Sequence, residues 1–103
     1  MKEKIEQIKA RIEKNFLDNG YEATYYLNSP EAFGSWYVTH RKGDKSIRLV
    51  WDGKDPYISL DTRLNDNNRD SASWKNLVTI FVKQETDLAE VETDLLQTLA
   101  QNL

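Results

Sequence analysis

His40 is the only histidine in the chain and, with no cysteine present, the only side chain whose ordinary pKa lies near neutrality. To act as a general base it would need a nucleophile or a carboxylate within hydrogen-bond reach, and the sequence singles out no such partner. Alternation along its strand places it on the core side, near the strand's end, where a packed imidazole is the ordinary outcome. Asp52, Asp55 and Asp61 surround one turn, and paired carboxylates could do acid and base work. Turns also use such residues to bond their own backbone, which explains Asp52 and Asp55. Asp61 falls opposite Arg48 across the expected hairpin. The run Asp66, Asn67, Asn68, Arg69, Asp70 sets oxygen ligands at alternate positions, as a calcium loop begins. A calcium loop needs glycine at its sixth position and glutamate at its twelfth, where this chain has Ser71 and Leu77. The glycines form no phosphate-cradling pattern. No catalytic residue, metal site or cofactor is therefore expected, and the chain reads as a non-enzyme.

Binding chemistry is better represented. Trp36 and Trp51 fall on the core face of their strands, where packing accounts for them. Trp74 stands in a polar stretch and could anchor a partner. The sheet face away from the expected helices collects Tyr37, Thr39, Arg41, Arg48, Val50, Tyr57 and Ser59, with Leu77 and Phe81 from the last strand. Tyr26 joins them if the first strand buries Ala23, Tyr25 and Leu27. Tyrosine with arginine is the composition of interface hot spots. The expected binding residues are Tyr37, Arg41, Arg48, Tyr57, Trp74 and Phe81, serving a protein partner or a homodimer. The rivals are a small-ligand or single-stranded nucleic-acid module built on Tyr37, Arg41, Arg48 and Tyr57, an enzyme or enzyme subunit using His40, and cover of this face by the chain itself.

Two amphipathic helices and five strands must position these residues. Ile5, Ile8, Ile12 and Phe16 form one stripe at helical spacing, which predicts a helix over 3–18 with Lys2, Glu6, Lys9 and Glu13 outside. Asn19-Gly20 supplies a left-handed stop. Residues 21–27 alternate and read as a strand. Ser29-Pro30 up to Gly34 predicts a loop with one short helical turn. Strands over 35–41 and 45–51 flank a two-residue Lys42-Gly43 loop, which pairs Arg41 with Asp44, Val38 with Ile47 and Trp36 with Leu49. A second even-numbered turn after Asp52 pairs Trp51 with Ile58, Leu49 with Leu60, Arg48 with Asp61 and Asp52 with Tyr57. Residues 63–76 read as a long polar loop, with a turn of helix near Ala72, Ser73 and Trp74. Residues 77–83 form the last strand, with Val78, Ile80 and Val82 facing opposite to Leu77 and Phe81. Asp87 caps the final helix with Glu90 as its capping-box partner, and Leu88, Val91, Leu95 and Leu99 repeat the helical stripe.

The fold class is thus α+β, a five-stranded antiparallel sheet with N- and C-terminal helices on one face, in the order α-β-β-β-β-β-α. Its 103 residues are a one-domain length, and no internal repeat or linker divides 1–103. Hydrophobic residues at 39% and charged residues at 30% are ordinary globular usage, which disfavours disorder. No apolar run approaches the ~20 residues that span a membrane. Without cysteine there are no disulfides, and a reducing, cytoplasmic setting is expected. The formal charge of −3 disfavours non-specific nucleic-acid binding. The charge is uneven: no cation follows Lys83, while Arg41 to Arg48 is a basic stretch.

Overall fold

The apolar stripe of the first seventeen-residue helix, α1 (Lys2–Asp18), is buried along its whole length at Ile5, Ile8, Ile12 and Phe16. The helix stops where the sequence predicts. Gly20 takes φ +83°, the Gly20 N–H donates to Leu17 O at 3.1 Å, and the Tyr21 N–H donates to Phe16 O at 3.0 Å. The Tyr21 and Phe16 rings meet across this stop with centroids 5.4 Å apart, the apolar contact that usually accompanies such an end. This computed structural model describes residues 2–29, 31, 33–64 and 74–103. After α1 come β1 (Glu22–Ser29), β2 (Ser35–Lys42), β3 (Lys45–Asp52), β4 (Tyr57–Leu64), β5 (Lys75–Phe81) and α2 (Leu88–Ala100). The strands make one antiparallel sheet in sequence order, so the α+β architecture is the expected one.

Both helices share one core with a single face of the sheet. The strands supply Trp36, Val38, Ile47, Leu49, Ile58 and Leu60, and α2 supplies Val91, Leu95 and Leu99. The Asp87 carboxylate accepts the Ala89 N–H at 2.9 Å and so caps α2. Lys9 and Glu13, expected outside, are half-buried instead. They pair at 3.1 Å, and the Lys9 ammonium lies 4.9 Å from the Tyr26 ring and 5.5 Å from that of Trp36. The lysine stem covers the sheet margin while its charge meets aromatic faces. Among the described residues no helix is long and apolar enough to cross a membrane.

The second hairpin has the predicted register at all four named pairs: Trp51 with Ile58, Leu49 with Leu60, Arg48 with Asp61, and Asp52 with Tyr57. The first keeps the predicted face and even loop but slides by two residues. Val38 pairs with Leu49, Trp36 with Trp51, and Lys42 with Lys45. The reason is the turn. A type II′ hairpin loop needs positive φ at its first residue, and Gly43 takes φ +58° there, a conformation that Lys42 would adopt only with strain.

Two bulges correct the outer strands. In β1 the register shifts between Ala23 and Tyr25, so Ala23 pairs with His40 but Tyr25 pairs with Thr39 and Leu27 with Tyr37. Tyr25 and Leu27 therefore share the face away from the helices, and Tyr26 stays on the helix side. In β5 the shift lies between the partners of Leu60 and Asp61, where Val78 and Asn76 pair and Leu77 is the extra residue. Leu77 consequently packs against the core rather than beside Phe81. Both flanking strands reach further into the polar segment than expected: β4 runs to Leu64, and β5 begins at Lys75 but ends at Phe81, short of the expected residue 83. The run from Asp66 to Asp70 and the helical turn at Ala72 and Ser73 lie outside the described residues. So do Pro30 and Ala32 of the short helical turn expected before Gly34.

Candidate binding site on the second sheet face

The face without helices is a lattice of cross-strand rows fixed by these registers. One row reads Glu22, Arg41, Ser46, Arg63; the next reads Tyr25, Thr39, Arg48, Asp61, Asn76. Beyond them come Leu27, Tyr37, Val50, Ser59, Thr79, and then Asp52, Tyr57, Phe81. The alternation of each strand thus sorts the face into an arginine end and an apolar end.

The arginine end is a pocket of about 350 Å³ lined by Thr24, Tyr25, Tyr37, Thr39, Arg41, Ser46, Arg48, Arg63 and Trp74. Arg48 is its centre. Its Nε and one terminal nitrogen donate to Asp61 Oδ2 at 3.1 and 2.8 Å, and the Asn76 amide donates to Asp61 Oδ1 at 3.0 Å. Asp61 is buried and satisfied on both oxygens, which fixes the plane of the guanidinium. That guanidinium lies 4.4 Å from the centre of the Trp74 ring and 5.7 Å from that of Tyr37. Arg63 meets the same indole at 4.5 Å. Tyr25 stacks on Tyr37 with centroids 5.6 Å apart. Burial pushes the Tyr37 hydroxyl above its ordinary pKa, with Tyr25 adding to the rise and Arg48 opposing it. Arg41 donates from Nε to Gly43 O at 2.9 Å, which aims it along the strand end.

Of the six residues the sequence singles out, Tyr37, Arg41, Arg48 and Trp74 converge here. Tyr57 and Phe81 do not; they pair with each other at the opposite end, ring centroids 5.9 Å apart, with Phe81 60% exposed. Tyr25 and Arg63 belong to the pocket and sequence reasoning misses both. Tyr25 is turned in by the bulge at Thr24, which leaves no mark on composition. Arg63 follows Asp61 by two, so continued alternation of β4 was the available signal.

His40 sits on the other face, 1% exposed, its ring stacked on Phe16 at 4.2 Å and 12°. Burial holds its pKa below the usual 6.5, with Glu13 opposing and Lys9 adding to the fall. Its Nδ1 is buried and has no hydrogen-bond partner among the described residues. Asp52 accepts the Lys54 and Asp55 N–H groups at 2.8 and 3.1 Å, a turn role. Among the described residues no group of three or more His, Cys, Asp or Glu is placed to hold a metal ion. In comparisons with known proteins, no family model, no curated protein and no solved structure matches this chain.

Proposed function

We propose that the protein is a small non-enzymatic interaction module, cytoplasmic, which binds another protein through the arginine end of its open sheet face. The observation that carries this reading is Trp74 held at 4.4 and 4.5 Å by two guanidiniums, one of them locked by a buried carboxylate. An aromatic ring and arginines fixed in this way lose little freedom when a partner arrives, and such residues dominate binding energy at interfaces. His40 has no part in it. The test is co-purification of the tagged chain from its own cells. Wild type and His40→Ala should retain the same partner, and Trp74→Ala should lose it. Retention of the partner by Trp74→Ala would refute the reading, and loss of the in vivo phenotype in a folded His40→Ala that still captures the partner would count against a non-enzymatic role.

Self-association is a second reading, favoured by the apolar end, where Phe81 is exposed beside Tyr57. Sedimentation should then show a dimer that Phe81→Asp disrupts; a monomeric wild type would remove this reading.

A further inference from the structure

Among the described residues the lining of the pocket at the arginine end holds three arginines and no carboxylate, with Glu22 paired in register to Arg41 at its margin. Asp61 lies beneath it and offsets the charge of Arg48, with both of its oxygens already engaged. No ion pair among the described residues involves Arg41 or Arg63. This leaves a concentrated positive site on a chain of net charge −3. The planar forks of guanidinium groups match carboxylates in a bidentate manner, and Trp74 and Tyr37 hold the Arg48 plane in place.

Three candidate occupants differ in how well they fit. Two copies meeting through this face would bring their arginines together, which like charge disfavours. A second copy could instead offer the acidic outer side of α2, where Glu90 and Asp94 are exposed. That helix packs on the opposite sheet face, so such a contact would be head-to-tail and could not close as a two-fold dimer. A nucleic acid brings many phosphates to a chain whose overall charge repels them. An acidic peptide brings one or a few carboxylates and apolar stems that can lie against Trp74 and Tyr25.

We infer that the pocket seats an acidic side chain from a segment of the protein partner, an assignment that rests on the partner-binding reading above. The test is calorimetric titration of the full chain with a short capped peptide of alternating glycine and glutamate, with its glutamine counterpart, and with a single-stranded thymidine oligonucleotide. The glutamate peptide should bind about tenfold or more tightly than the glutamine peptide. Arg63→Gln should weaken it by about tenfold, and Arg11→Gln, which removes an exposed arginine on α1, should leave it unchanged. A urea melt of Arg63→Gln matching wild type shows that the loss is not unfolding. Equal affinity for the two peptides, equal effects of the two arginine changes, or tighter binding of the oligonucleotide would overturn the assignment. If the peptides bind alike while partner capture still depends on Trp74, the carboxylate seat fails and the partner reading stands; if capture is also independent of Trp74, both fail.

Discussion

Replacing Arg48 with methionine removes the guanidinium but keeps most of the stem, so the loss reports on the charge at the centre of the pocket. Asp61, 8% exposed with Arg48 in place, would keep one neutral side-chain hydrogen bond, from Asn76. Each charge-assisted bond of this kind contributes about 1.5–3 kcal/mol, and stripping one partner from a fully buried pair costs about 3–5 kcal/mol. The Arg48 side chain is 25% exposed and that of Asp61 11%, so water retains some access and the loss should fall below the fully buried range, at ~2–3 kcal/mol. The companion change Asp61→Asn in the same chain removes the stranded charge and should recover more than half of it. Urea melts of wild type, the two single variants and the double variant form a cycle that isolates the pair. A loss below about 1 kcal/mol for Arg48→Met, or a double variant as unstable as the sum of the two singles, would refute the claim that Asp61 depends on Arg48.

His40 gives a pH dependence. Its folded pKa lies below the unfolded value of 6.5, so the unfolded chain binds the extra proton first. Its contribution is complete above the unfolded pKa and is lost as pH falls below it, at up to about 1.4 kcal/mol per pH unit until the folded pKa is reached. Urea midpoints at acid and neutral pH should show a smaller acid loss for His40→Leu than for wild type; identical losses would place the proton elsewhere. At the turn between β3 and β4, a Cβ on Gly53 would stand 2.0 Å from Phe33 O, a backbone atom that has no rotamer with which to move away. Gly53→Ala should therefore cost about 1–3 kcal/mol. Phe33 is itself at φ +61° and 68% exposed, so Phe33→Gly should be neutral or stabilise by up to about 1 kcal/mol in the same melt.

The helices, the strand order and the sides of the central strands are legible in the chain because they rest on periodicity. Stripes such as Ile5 to Phe16 and alternations such as Ile47 to Trp51 admit one burial pattern each. Periodicity of two does not distinguish registers that differ by two, however, and the first hairpin was settled by the φ that Gly43 supplies. Single-residue bulges are a deeper limit. Nothing in the types of Thr24 or Leu77 announces an extra residue, yet each reverses the facing of the residues beyond it. The bulge at Thr24 exchanged Tyr26 for Tyr25 at the pocket, and that at Leu77 removed an expected apolar residue from the open face. Arg48 and Asp61 were readable as partners from the hairpin alone. That Arg63 and Trp74 would close over Arg48 depends on how far β4 and β5 extend, which the polar composition of 63–76 obscures.

Recognition through the arginine end is tested most directly by the affinity of the captured partner for wild type, Trp74→Ala and Phe81→Ala, measured by calorimetry on proteins with equal urea midpoints. Trp74→Ala should lose about 2 kcal/mol or more, roughly thirtyfold, and Phe81→Ala should bind within about twofold of wild type. A partner that binds Trp74→Ala as tightly as wild type, or that depends on Phe81 instead, would contradict the assignment of the binding surface.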